Sequence, residues 1–202
     1  MPEILKTESP LAEFWRKRRS KTNSANPGLR FREYAFLEHL NLRGDPNDPS
    51  LQAAIQSALN LSLPKAANTA SVSEEVTILW LGPDEWLVVT PEGGEEMVAA
   101  ALRRAVSEGF AGVVELGSGQ TVIEIAGPRA REVIAKGCPL DLHPRMFGPG
   151  SCAQSRLARA LVTIAQVDGT PTFELIVRRS FADYVWRFLT DACRHPVERR
   201  FI

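Results

Sequence analysis

Apolar and polar residues along this chain either alternate or recur at helical spacing, in short runs punctuated by Gly, Pro and Asp. Residues 33–43 (EYAFLEHLNLR) alternate as a half-buried strand does, and Gly44, Asp45 and Pro46 stop them. Asp48 and Pro49 then supply an N-cap and a proline at the first helical position, after which Leu51, Ala54, Ile55, Ala58 and Leu59 form an apolar stripe. Residues 61–75, rich in Ser, Ala, Asn, Pro and Thr, read as a surface connection. Residues 76–90 (VTILWLGPDEWLVVT) place two strand-type runs around a corner where Pro83 presets the backbone for a turn, which predicts a hairpin. Trp80 and Trp86 flank that corner and can pack across the ladder or on one face, according to register.

Farther on, residues 95–109 predict a helix with acidic residues in its first turn, Met97, Ala101, Leu102 and Ala105 on one stripe, and Gly109 past its end. Val113, Val114 and Leu116 lead to a Gly-Ser-Gly turn, and residues 121–125 alternate as a returning strand. Gly127 and Pro128 open a helix through Ala130, Val133 and Ile134 that closes at Gly137. Residues 138–151 hold three prolines and two glycines and predict an irregular connection. Residues 155–167 read as one strand, turned at Asp168, Gly169, Thr170 and Pro171 into a partner strand over 173–179. Ser180 and Asp183 resemble a capping box, and Phe181, Tyr184, Val185, Phe188, Leu189 and Ala192 give the last helix a wide apolar face that needs a sheet to cover. The expected class is α+β: antiparallel hairpins with packed helices. The expected organisation is a basic, flexible leader (1–32), one body (33–194) and a short tail (195–202).

Composition narrows the function classes. With 202 residues, 44% of them hydrophobic, the chain has ample material for a core. Lys plus Arg and Asp plus Glu number 24 each, so the balance argues against a dedicated nucleic-acid binder. Residues 1–32 carry eight basic and three acidic side chains, leaving 16 against 21 for the rest: a basic leader precedes an acidic body. No stretch of signal-peptide or transmembrane length follows the leader, which predicts a cytoplasmic protein without a membrane partner. Cys138, Cys152 and Cys193 are far apart, with no C-x-x-C pair and no His at zinc spacing, and suit reduced core thiols.

Candidate chemistry is sparse. GSGQT at 117–121 lacks the lysine of a phosphate loop, and strand residues follow it where a helix should begin. Cys138, Asp141 and His143 are close in sequence and would form a site only if the loop folded them together. Arg178 and Arg179 stand between a strand end and a helix start, where guanidinium forks suit an anion.

LWLGPDEWL, then LGSGQTVIEIAGPRAREVIAKGCPLDLHPRMFGPGSCAQSRLARALV, then FELIVRRSFADYVWRFLTDA resemble, in that order, the gamma subunit of heterotetrameric sarcosine oxidase. The likeness spans roughly residues 33–193, and SPL at 9–11 and LRGDP at 42–46 fit it as well. Ser155 is a departure, standing where the family pattern leads one to expect threonine. The resemblance implies a fold similar to the folate-binding domain of glycine cleavage system aminomethyltransferase. It also implies a complex that oxidatively demethylates sarcosine to glycine and passes the one-carbon unit to tetrahydrofolate. FAD, FMN, NAD and zinc would then lie in the partner alpha, beta and delta subunits, with no catalytic, cofactor-binding or metal-binding residue in this chain. The preferred expectation is a noncatalytic buttressing subunit; the alternatives are a folate-binding module in one-carbon metabolism and, from a different class, an enzyme using Cys138, Asp141 and His143.

Overall fold

The computed structural model describes residues 8–18, 28–73, 75–105 and 112–194. The chain order is α1 (Ala12–Arg18), β1 (Arg30–Tyr34), β2 (Glu38–Arg43), α2 (Pro49–Leu59), β3 (Ala70–Val72), β4 (Thr77–Gly82), β5 (Glu85–Thr90), α3 (Glu95–Ala105), β6 (Gly112–Glu115), β7 (Gln120–Ala126), α4 (Ala130–Ala135), β8 (Cys152–Leu157), β9 (Ala160–Asp168), β10 (Thr172–Arg178) and α5 (Ala182–Ala192). The strands form two five-stranded sheets, β1-β7-β10-β9-β8 and β3-β4-β5-β2-β6, with every recorded pairing antiparallel. Among the described residues no helix is long and apolar enough to cross a membrane.

Two-residue periodicity assigns each strand side chain to one of three apolar layers. In β10, Phe173, Leu175 and Val177 join a core with Val133 and Ile134 of α4 and Val185 and Leu189 of α5, while Ile176 turns the other way. In β5, Trp86 and Val88 pack with Leu51 and Ile55 of α2 and Leu102 of α3, while Leu87 meets Val122, Ala165 and Ile176 across the gap. The sheets therefore lie face to face, each with helices on its outer side. Strands buried on both faces follow: β7 is buried from Thr121 to Ala126.

Several elements are as the residue pattern predicts. Asp48 caps α2 by accepting the Ser50 N–H at 2.8 Å, Pro49 begins it, Leu51, Ile55 and Leu59 are its buried face, and Asn60 closes it in the left-handed region. In the β9–β10 turn one Asp168 oxygen accepts from the backbone N–H groups of Thr170 and Thr172, at 2.9 and 3.0 Å.

Other expectations are corrected. Residues 33–43 are two strands in different sheets, parted at Phe36, whose φ is 69°. Residues 155–167 are likewise two strands, β8 and β9, joined at Ala158 with φ 51° and no glycine to announce the turn. Strand β7 does not return beside β6: after the Gly-Ser-Gly turn the chain crosses to the other sheet. In α3 the buried positions are Val98, Ala99 and Leu102, and Met97 is 70% exposed. In α5, Phe181 and Tyr184 are exposed and Trp186 is fully buried, while Ser180 makes no cap bond and lies in a short 3-10 turn.

Part of the N-terminal stretch, residues 8–18, packs on the body. Leu11, just ahead of α1, is buried in the core beneath α5, and Phe14 and Trp15 meet Trp186 at tilted and edge-on angles, with centroid distances of 5.0 and 4.9 Å. Trp15 Nε1 donates to Glu33 at 2.9 Å, so apolar contact and a hydrogen bond both tie the segment down. Residues 1–7 and 19–27 of the expected leader, and the expected tail at 195–202, lie outside the described residues. Where β1 enters the sheet, Gly127 has φ 125°, and a Cβ there would run into the Gly28 carbonyl oxygen, so only glycine suits the crossing.

Candidate functional site

Adjacent strands place Arg32, Glu124 and Glu174 in one row on the sheet face that looks toward the second sheet, since Glu124 pairs with both of the others. Glu124 is 5% exposed and accepts from the Tyr34 hydroxyl at 2.7 Å and from Arg30 Nε at 3.1 Å. The Arg32 guanidinium lies 4.4 Å from the centre of the Tyr34 ring. Burial raises the Tyr34 pKa, and its bond to Glu124 raises it further. Burial also raises the Glu174 carboxyl, with the neighbouring Glu124 charge adding to it. Arg30 continues into the wall of an open cavity of about 460 Å³ shared with Gly127, Thr170 and Thr172. Two side-by-side carboxyls, one with a raised pKa, make this a part-buried polar stretch and a candidate ligand seam.

A titration test follows. An acid whose folded pKa exceeds its unfolded one binds more protons in the folded state, so its contribution to stability falls as pH rises through that window. The Glu174→Gln substitution is therefore expected to raise the thermal midpoint at neutral pH and to change it little near pH 3, below the ordinary glutamate value. Thermal unfolding of both proteins at the two pH values checks this; an equal shift at both would remove the ionisation of a buried carboxyl as its cause.

Residues singled out from sequence fall into local roles. Trp80 and Trp86 are direct cross-strand partners, and Trp86 Nε1 donates to the Pro64 carbonyl at 2.8 Å from a fully buried position. The corner between them is held to the end of β2: Arg43 pairs with Asp84 at 3.5 Å and with Glu85 at 2.8 Å, and Asn41 Nδ2 donates to Glu85 at 2.7 Å. Cys138, Asp141 and His143 are not brought together as a relay. Asp141 accepts the backbone N–H of His143 at 2.9 Å, His143 Nδ1 accepts the backbone N–H of Arg145 at 3.2 Å, and the Cys138 thiol is directed at Ser155, 3.6 Å away. Cys152 is fully buried with its thiol toward the Thr69 carbonyl at 3.2 Å, and burial pushes its pKa up to about 11, far from a thiolate nucleophile. Burial likewise raises Cys193. Residues 117–119 form a 3-10 turn that runs straight into β7, not a helix. Arg179 donates to the main-chain oxygen of Glu8, and Arg178 is exposed.

Three further residues carry no signal in the sequence pattern. Arg131 pins the irregular 138–151 loop by donating to the carbonyls of Leu142 and Phe147 and, at 2.8 Å, to Gln166. Glu124 sits at an alternating strand position that looks solvent-facing until the second sheet covers it. His39 is fully buried with neither ring nitrogen hydrogen-bonded, and burial lowers its pKa to about 4. Among the described residues, no three His, Cys, Asp or Glu side chains gather closely enough to hold a metal ion.

Comparison with known proteins places this architecture. The chain is 35% identical to the sarcosine oxidase subunit gamma of Corynebacterium sp. (strain P-1) over 165 residues, which is 81% of this chain and 79% of that one. It superposes on a chain of the heterotetrameric sarcosine oxidase from Corynebacterium sp. U-96, solved in complex with pyrrole 2-carboxylate, with a TM-score of 0.81 at 29% identity over 93% of this chain and 94% of that one. The glycine cleavage system aminomethyltransferase T from Bartonella henselae shares the fold, with a TM-score of 0.64 at 13% identity over 92% of this chain and 57% of that one. Residues 43–195 match the family described as sarcosine oxidase, gamma subunit. An α+β pair of sheets that aligns along nearly its whole length with such chains has one reading: this protein belongs to the sarcosine oxidase gamma subunit family.

Proposed function

We propose that this chain is the noncatalytic gamma subunit of a heterotetrameric sarcosine oxidase, which oxidatively demethylates sarcosine to glycine and passes the one-carbon unit to tetrahydrofolate. The observation that carries the reading is the end-to-end match to a chain of a heterotetrameric oxidase, 93% of one against 94% of the other. The alpha, beta and delta subunits hold FAD, FMN, NAD and zinc, and the assembly works in the cytoplasm. This chain contributes shape and contact area. Supporting that division, its glycine-rich turn feeds a strand instead of a helix, and two of its thiols are held protonated by burial.

Affinity capture of the tagged full-length chain from its native cells, followed by mass spectrometry, tests the reading. The expected result is co-recovery of flavin-bearing oxidase subunits in equal amount; recovery of the chain alone at low salt would reject it.

The Glu124–Glu174 seam beside the Arg30 cavity favours a second reading, a folate-binding module. Paired carboxyls suit the N–H-rich edge of a pterin. Calorimetric titration of the isolated chain with tetrahydrofolate decides it, since an absence of heat at high micromolar ligand excludes the module.

A further inference from the structure

Gln154 Nε2 donates across the sheets to the Leu81 carbonyl at 2.9 Å, and two residues farther along β8 the same inner face carries the exposed Arg156. Arg156 pairs with Leu161 in the β8–β9 register, and Arg178 lies one position past the Val177–Val162 pair, so Arg156, Leu161 and Arg178 form one row. Leu161 is 66% exposed in mid-sheet. Phe181 and Tyr184 lie at the same end of the sheet on its outer, α5 side, with rings 6.2 Å apart, and the Tyr184 hydroxyl accepts the Arg159 backbone N–H at 3.3 Å in the β8–β9 turn. Among the described residues, no carboxylate pairs with Arg156, Arg159 or Arg178, whereas Arg43, Arg129 and Arg187 each hold at least one. Exposed Leu, Phe and Tyr set among unpaired arginines match the composition of an interface core with its electrostatic rim.

We propose that this end of the sheet is a docking face for another subunit of the assembly, which seats an acidic segment with apolar flanks against Leu161, Phe181 and Tyr184. The proposal rests on the gamma-subunit reading above. Charge complementarity selects the occupant: three arginines without carboxylates call for carboxylates from outside, and the net charge of zero over the whole chain disfavours a polyanion such as nucleic acid.

The test uses the complete four-subunit assembly with tagged gamma chain, wild type or R156E/R159E/R178E. The variant is expected to keep the wild-type circular dichroism and thermal midpoint, because all three positions are exposed, and to recover roughly tenfold less partner per gamma chain. A folded variant that recovers as much partner as wild type overturns the face. Should the variant fail to fold, Leu161→Cys in the otherwise wild-type assembly reports instead: maleimide labelling rapid in the free chain and blocked in the assembly supports the face, and labelling equally fast in both overturns it. An isolated chain that is dimeric as wild type and monomeric as the variant puts a second copy there and also overturns it. Wild-type chain that recovers no partner at all removes the gamma-subunit reading itself, and the face with it.

Discussion

Replacing Trp186 by alanine is expected to cost about 3–5 kcal/mol of folding stability, the usual range for truncating a large buried aromatic. Trp186 is fully buried, and Phe14, Trp15 and Phe31 all contact it, with ring centroids 5.0, 4.9 and 5.9 Å away. The cavity would open where α5, the sheet and the N-terminal segment meet, so the loss includes the docking of Leu11 and α1 as well as transfer of the indole to water. Against a total of about 5–15 kcal/mol for a typical domain, this is a large fraction. Denaturant unfolding of the full chain measures it, with Met97→Ala, at a 70% exposed position, as the control expected to change little. A loss below about 1 kcal/mol for Trp186→Ala would mean that α1 and α5 are not packed through this side chain.

The second large effect is acid lability through His39. Its folded pKa, about 4, lies below the ordinary histidine value of 6.5, so between those values the unfolded chain binds the extra proton and the folded chain does not. Stability contributed by the neutral imidazole is complete above about pH 6.5 and is lost as pH falls through the window toward 4. The difference corresponds to about 3 kcal/mol. A His39→Leu variant also removes two buried nitrogens without hydrogen bonds, so it should match or exceed wild-type stability at neutral pH and gain about 3 kcal/mol on it by pH 4. Urea unfolding at a series of pH values gives the comparison, and an NMR titration of the imidazole gives the pKa directly. An ordinary pKa for His39 would show that its pocket admits water.

Local signals carried a good part of this fold because they act over a few residues. The Asp48 cap, the Pro49 start and the Asp168 turn use side-chain oxygens that bond neighbours in sequence, so they are readable without any partner element. Long-range choices were hidden. Nothing around Phe36 or Ala158 announces a left-handed residue, yet those two positions divide apparent single strands, and the first division sends β1 and β2 to different sheets. In α5 an apolar stripe of Phe181, Tyr184 and Phe188 competes with one through Trp186; the sheet selects the second because Val185, Trp186 and Leu189 complete its face. Glu124 and Glu174 alternate with apolar neighbours as solvent-facing residues do, and only their side-by-side place in the sheet makes them a pair, Glu124 buried and Glu174 half-buried. The row of Arg156, Leu161 and Arg178 exists only through the register of three strands. Family membership was legible for a different reason, since a long ordered set of segments identifies a family even where the pairing of its strands cannot be read.

Production of the proposed partner subunits together in one host, with and without this chain, followed by sarcosine-dependent oxygen uptake per mole of purified flavin, tests the central claim most directly. The account predicts a stable, active complex when this chain is present, and one that dissociates or loses most of its activity when it is left out. Equal activity and equal stability without it would contradict the claim that the oxidase needs the contact surface this subunit provides.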